Sequence, residues 1–253
     1  MELGLKGLKA AVSGGSRGIG RSIASLLAEE GCDVSICARG QENIDTAIGE
    51  FESRGVRAMG RALQGREGDA VRGWMRDTVE EFAGLDIVVA NLSAGGGTNE
   101  ERYWYRNFEI DLMSATRAVE EAYPALKESR NASILIVATM AASETFVAPM
   151  AYNAIKAALV TWSKQLAELY LPKGIRVNCL SPGPTMFPGS NWEMIRVARS
   201  RTYTAAIRKQ PTRRMAEAEE IARSAVFLAS PAASWCAGSH LLVDGGFTKG
   251  VQF

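Results

Sequence analysis

Tyr152 and Lys156 stand four residues apart inside Met150 to Leu171, a stretch whose composition predicts one long helix closed by Pro172. Side chains at that spacing share a helix face about one turn from each other. Such a pair can do acid–base chemistry. A nearby ammonium favours the phenolate, so the tyrosine pKa falls from its usual value near ~10 and a proton can be exchanged at neutral pH. The same spacing also describes an ordinary surface pair, weakly coupled through water. What else the chain carries decides between the two.

A second chemical stretch is the turn Ser13-Gly14-Gly15-Ser16-Arg17-Gly18-Ile19-Gly20, between the apolar run Leu8 to Val12 and an amphipathic stretch from Ile23 to Ala28. Strand, glycine loop and helix start follow one another. Glycine tolerates positive φ and lacks a Cβ, so Gly14 permits a sharp turn, while Gly18 and Gly20 let the backbone approach a ligand and the sheet. The N–H groups of the following helix, with its dipole behind them, make a site for a pyrophosphate. The spacing is G-x-x-x-G-x-G rather than G-x-G-x-x-G, and an ordinary βα turn is the competing reading.

The elements that would hold these residues alternate along the chain. Helix from about Ile19 to Glu30 ends at Gly31, a favourable residue just past a helix, and Val34 to Ala38 reads as a strand. Helix is expected over Gln41 to Arg54, strand over Val56 to Leu63 and helix over Asp69 to Phe82. Asp86 to Ala90 and Ile134 to Val137 are short apolar runs suited to parallel strands buried on both faces. Between them, Asn107 to Ser129 is helix-like apart from Pro124. Ile175 to Leu180 reads as a sixth strand, Ile221 to Ala229 as a helix and Leu241 to Val243 as a last strand. Parallel strands need crossovers, so the pattern implies a doubly wound, Rossmann-type α/β fold: a parallel sheet of about seven strands with helices on both faces. Residues 1–253 are read as a single domain, with a helical excursion at about 184–211 that is rich in arginine and aromatics.

Composition narrows the function. The 253 residues are 47% hydrophobic and 23% charged with a formal net charge of +1, which gives no polybasic field for nucleic acid. No run approaches about eighteen apolar residues, so no membrane partner is expected, and with its glycine turn so early the chain is expected to be cytoplasmic. Cys32, Cys37, Cys179 and Cys236 are scattered in apolar contexts and are read as reduced. His240 is the only histidine, so neither a histidine-based metal site nor a catalytic triad is expected.

Taken in order, the motifs resemble the short-chain dehydrogenase/reductases. Gly14, Gly18, Ile19 and Gly20 match that family's cofactor loop, and Tyr152-Asn153-Ala154-Ile155-Lys156 its Y-x-x-x-K motif. Asn178 to Gly183, and Gly238 with Asp244-Gly245-Gly246, match later segments, so the resemblance spans the chain. It implies that Tyr152 is the general acid/base and that Lys156 holds the nicotinamide ribose. It also implies that Ser16, Asn91, Pro182, Gly183 and Thr185 line the cofactor, and that the protein is a homotetramer packed through its long helices.

Four places depart from the family pattern. The catalytic serine, expected thirteen residues before Tyr152, is Thr139, which keeps the hydroxyl but adds a methyl group; Ser143 is the alternative. The active-site asparagine is Asp111, which when ionised can accept but not donate, leaving either an altered relay through Lys156 or a plain salt bridge. The usual N-N-A-G reads Ala90-Asn91-Leu92-Ser93. Ala62-Leu63 replaces the acidic residue usual for the adenine, so that contact falls to the backbone at Leu63.

Charge indicates the cofactor. The second strand ends in Cys37-Ala38-Arg39 with no carboxylate for a ribose diol, and Arg17 adds a second cation, a pattern that favours NADP over NAD. The expectation is an NADP(H)-dependent oxidoreductase interconverting a secondary alcohol and a ketone. The alternative is a nucleotide-binding homologue with weak or no catalysis, acting as a sensor or partner subunit. Leu92 to Gly97, Met140 to Met150 and the excursion, with Met186, Phe187, Trp192, Met194 and Tyr203, would wall a mostly apolar pocket for the small-molecule substrate.

Overall fold

A computed structural model of the chain describes residues 2–145 and 148–250. Phe146 and Val147, inside the expected pocket wall, lie outside the described residues. So do residue 1 and residues 251–253.

The strands are short and apolar, as strands covered on both faces must be. β1 (Lys9–Ser13), β2 (Asp33–Ala38), β3 (Ala58–Ala62), β4 (Ile87–Ala90), β5 (Ser133–Val137) and β6 (Arg176–Pro182) are the first six in the chain. A two-residue pair, β7 (Thr185–Met186) with β8 (Ala216–Glu217), forms its own small sheet, and β9 (His240–Val243) follows. The main sheet has the order β3-β2-β1-β4-β5-β6-β9 and is parallel throughout.

Alternation along β5 shows how the two cores divide. Ile134 and Ile136 point into one, Leu135 and Val137 into the other. The core of Leu135 and Val137 is completed by α1 (Gly18–Glu29), α2 (Gln41–Glu52) and α9 (Ala218–Ala229), that of Ile134 and Ile136 by α3 (Gly68–Phe82), α5 (Ser114–Glu128) and α6 (Met150–Tyr170). Trp74, Phe51 and Phe82 are among the largest fully buried side chains.

One region departs from the sequence reading. The helix expected from Asn107 starts earlier, as α4 (Glu101–Asn107), then widens into a π-helical segment, Phe108–Met113, before α5. Extra residues in a π turn shift the helix face, and such turns cluster at functional sites. Pro124 lies inside α5 without ending it. The excursion is ordered as α7 (Asn191–Ala198) and α8 (Ser200–Lys209).

The strand order reverses between β1 and β4: β2 and β3 lie on one side of β1, and β4, β5, β6 and β9 on the other. In an open doubly wound sheet, ligands bind in the crevice at the carboxyl ends of the strands at that reversal. The glycine loop leaves β1 there, Asn91 leaves β4 and Thr139 leaves β5.

Candidate active site

Lys156 faces inward from α6 with a side chain only 3% exposed. Its Nζ donates to the Val137 carbonyl at 3.1 Å and lies 3.1 Å from Oδ1 of Asp111, whose side chain is fully buried. The other carboxylate oxygen of Asp111 accepts from the Ala94 N–H at 2.9 Å. Asp111 sits within the π segment and ties the loop after β4 to α6. Lys156 Nζ is 6.0 Å from the centre of the Tyr152 ring. An ammonium has three donors. Val137 accepts from one of them, and Asp111 faces the ammonium as an ion pair.

Tyr152 differs from expectation. Burial pushes its phenol above the ordinary value; the Lys156 charge pulls it down, the Asp111 charge pushes it back up, and a hydrogen bond with Thr139 pulls it down. A phenolate is poorly stabilised away from water. The lowering expected from the Tyr–Lys spacing is therefore outweighed, because burial dominates and the ammonium does not stand alone. Thr139, rather than Ser143, is the hydroxyl beside Tyr152. Thr139 also caps the short 3₁₀ turn Met140–Ala142 by accepting from the Ala141 N–H, whereas Ser143 ends that turn exposed.

The glycine loop is tied to its neighbours through backbone. The N–H groups of Gly14 and Gly15 both donate to the Cys37 carbonyl, at 2.8 and 3.3 Å. Asn91 Nδ2 donates to the Ser13 carbonyl at 3.0 Å and leans toward that of Gly14, while the Asn91 N–H donates to Ser13 Oγ. A Cβ on Gly20 would stand 2.3 Å from the Gly14 oxygen and 2.4 Å from Asn91 Nδ2, so only glycine fits. Ser16 and Ile19 are half-buried at the start of α1, whose first N–H groups lack a side-chain cap. Those N–H groups and the missing side chains form a cradle that fits a dinucleotide pyrophosphate.

Arg39 is exposed just past β2, without a charged partner among the described residues. Arg17 is also exposed, and its Nη1 donates to the Gly189 carbonyl at 3.1 Å, across to the excursion. Leu63 is buried after β3, and its N–H is taken by the Ala38 carbonyl. Pro182 ends β6; Gly183 donates to the Val243 carbonyl, and a Cβ there would meet the Asp244 backbone at 2.6 Å. Thr185 is buried, with Oγ1 bonded to the Gly183 carbonyl at 2.9 Å.

Sequence reasoning missed how the excursion is anchored. Phe187 packs on Gly18, Asn191 Nδ2 donates to the Gly95 carbonyl at 2.7 Å, and Lys209 Nζ pairs with Glu144 at 3.1 Å. These contacts join parts of the chain far apart in sequence, so no local pattern marks them. His240 bonds Ser181 Oγ through Nε2 at 2.7 Å, and burial holds its imidazole below the ordinary value. No cluster able to hold a metal occurs among the described residues, and no helix there is long and apolar enough to cross a membrane.

A doubly wound sheet with a glycine loop at its reversal and, beside it, a half-buried tyrosine over a buried lysine defines a dinucleotide-fold alcohol/ketone oxidoreductase. Residues 14–248 match the family model described as enoyl-(acyl carrier protein) reductase. The chain is 35% identical over 256 residues to isoepoxydon dehydrogenase of Penicillium expansum, covering 99% of this chain and 98% of that one. It is 30% identical to dehydrogenase/reductase SDR family member 4 of Oryctolagus cuniculus, with 94% of this chain and 92% of the relative covered. Among solved structures it is similar to L-sorbose reductase from Gluconobacter frateurii complexed with NADPH and L-sorbose. There the TM-score is 0.90 at 30% identity, with 99% of this chain and 100% of the other covered. The chain belongs to the short-chain dehydrogenase/reductase family.

Proposed function

We propose that the protein is an NADP(H)-dependent oxidoreductase that interconverts a secondary alcohol and a ketone on a mostly hydrophobic small molecule. The observation that carries this reading is the convergence of Tyr152, Thr139 and Lys156 at the carboxyl ends of β4 and β5. When bound, the nicotinamide supplies or takes back the hydride. Tyr152 gives its proton to the carbonyl oxygen in reduction and receives it in oxidation, a contribution of roughly 10²–10⁴ in rate for positioned acid–base groups. Thr139 holds the same oxygen by hydrogen bonding, and Lys156 holds the ribose through a remaining donor.

The phosphate preference rests on Arg39 and Arg17, both exposed beside the glycine loop, with no carboxylate at the end of β2. The NADPH and NADP bound to structural neighbours agree with that choice. The pocket walls proposed are Ser93 to Gly97, Met140 and the half-buried Phe187, Trp192 and Tyr203 of the excursion. We assign the assembly as a homotetramer built on the outer faces of α6 and of the π segment running into α5, where Leu112, Met113, Ala158 and Trp162 line a shallow groove of about 520 Å³. Consumption of NADPH over a ketone panel graded by size and charge tests the reading. Best turnover on a medium-sized hydrophobic or cyclic ketone is expected; best turnover on a polyhydroxylated sugar contradicts the substrate class. Binding of NADPH without turnover of any ketone or alcohol would favour the sensor alternative.

A further inference from the structure

Lys156 and Asp111 form a buried ion pair, 3.1 Å between Nζ and Oδ1, with side chains 3% and 0% exposed. Removed from water, two charges at that distance act on their surroundings largely as a dipole rather than as a free cation. The field that Lys156 casts on the Tyr152 ring, 6.0 Å away, is reduced accordingly. An asparagine in the same place would leave the full positive charge.

We propose that Asp111 is a positioning residue for Tyr152: by holding the Lys156 ammonium in a buried ion pair, it withdraws charge that would favour the phenolate and keeps the site in its proton-donating form. The inference rests on the reading of Tyr152 as the acid of a ketone reduction. In that step the carbonyl carbon gains a hydride from the reduced nicotinamide and the oxygen gains the phenol proton. The products are the alcohol, the oxidised cofactor and a Tyr152 phenolate that solvent reprotonates. Alcohol oxidation needs the phenolate at the outset. A site that stays protonated at neutral pH is thus competent for reduction there and becomes competent for oxidation only at alkaline pH. The alcohol–ketone equilibrium itself is untouched.

The other groups facing the pair do not supply a competing charge. From β6, the Cys179 thiol is pushed by burial to about 11 and is neutral at working pH. From the end of β5, Val137 contributes a carbonyl dipole to Lys156 and Thr139 a neutral hydroxyl to Tyr152. From the loop after β4, Ala94 contributes an N–H to Asp111. Asp111 is the one anion in this set.

The test is a titration of tyrosines in the cofactor-free protein, labelled with carbon-13 at the phenol carbon, with the Tyr152 signal identified by its absence in Tyr152→Phe. Wild-type Tyr152 is expected to titrate above the ordinary ~10, and Asp111→Asn to lower the midpoint by about one pH unit or more. The alkaline limb of kcat/KM for alcohol oxidation is expected to move by the same amount. A merely structural role would lower activity at every pH and leave the limb in place. Equal midpoints in the two proteins, or a higher one in the variant, overturn the proposal. Should Asp111→Asn not fold, as judged by circular dichroism, Asp111→Ser, which likewise removes the charge, takes its place: a midpoint lower than wild type by about one pH unit supports the proposal, and one equal or higher overturns it. Because the titration is read without cofactor, it separates this inference from the function: a shifted midpoint with no turnover of any ketone keeps the role of Asp111 and removes the reductase reading.

Discussion

The ring of Phe187 stands where a side chain on Gly18 would have to go, its Cε2 2.5 Å from the position of a Cβ there. Gly18 also has φ of +55°, a conformation that costs an L-residue about 1–2 kcal/mol. Gly18→Ala is therefore expected to lower NADPH affinity at least tenfold, about 1.4 kcal/mol, by isothermal titration. Adding Phe187→Ala should recover the steric part and leave the backbone part. An unchanged affinity in Gly18→Ala would show that the glycine loop does not hold the cofactor.

Arg39 tests the phosphate assignment. Removing one charge-assisted contact should cost about 1.5–3 kcal/mol, so Arg39→Asp is expected to weaken NADPH roughly ten- to a hundredfold. NADH should lose far less, because its ribose diol accepts a carboxylate partner. Equal wild-type affinity for the two cofactors would defeat the assignment.

Much of this was legible in the sequence, for physical reasons that differ by region. Strand and helix alternation fixed the parallel sheet because β4 and β5 are buried on both faces, and burial writes itself into composition. The glycine loop was readable because Gly14 and Gly18 occupy positive φ and Gly20 has no room for a Cβ. The state of Tyr152 was not. Spacing places Lys156 beside it, but burial and the Asp111 carboxylate, forty-one residues away, decide the proton. The π segment was equally hidden, since Phe108 to Met113 has ordinary helix-forming residues and is widened by its tertiary surroundings.

Assembly gives a prediction independent of the chemistry. The groove between α6 and the π segment running into α5 is apolar, lined among others by Leu112, Met113 and Trp162, and is suited to a symmetric partner. Light scattering should return about four times the 27.2 kDa of one chain, and Ala158→Arg should lower the mass by placing a charge in the groove. A wild-type mass of one chain across working concentrations would rule the tetramer out.

The central claim is that Tyr152 exchanges the substrate proton, and Tyr152→Phe isolates that proton because the ring remains and only the hydroxyl is lost. Steady-state NADPH oxidation with the best ketone of the panel, measured beside NADPH affinity, tests it directly. The account predicts that kcat falls roughly 10²-fold or more while cofactor affinity stays within about twofold of wild type. Turnover at the wild-type rate in Tyr152→Phe would contradict it.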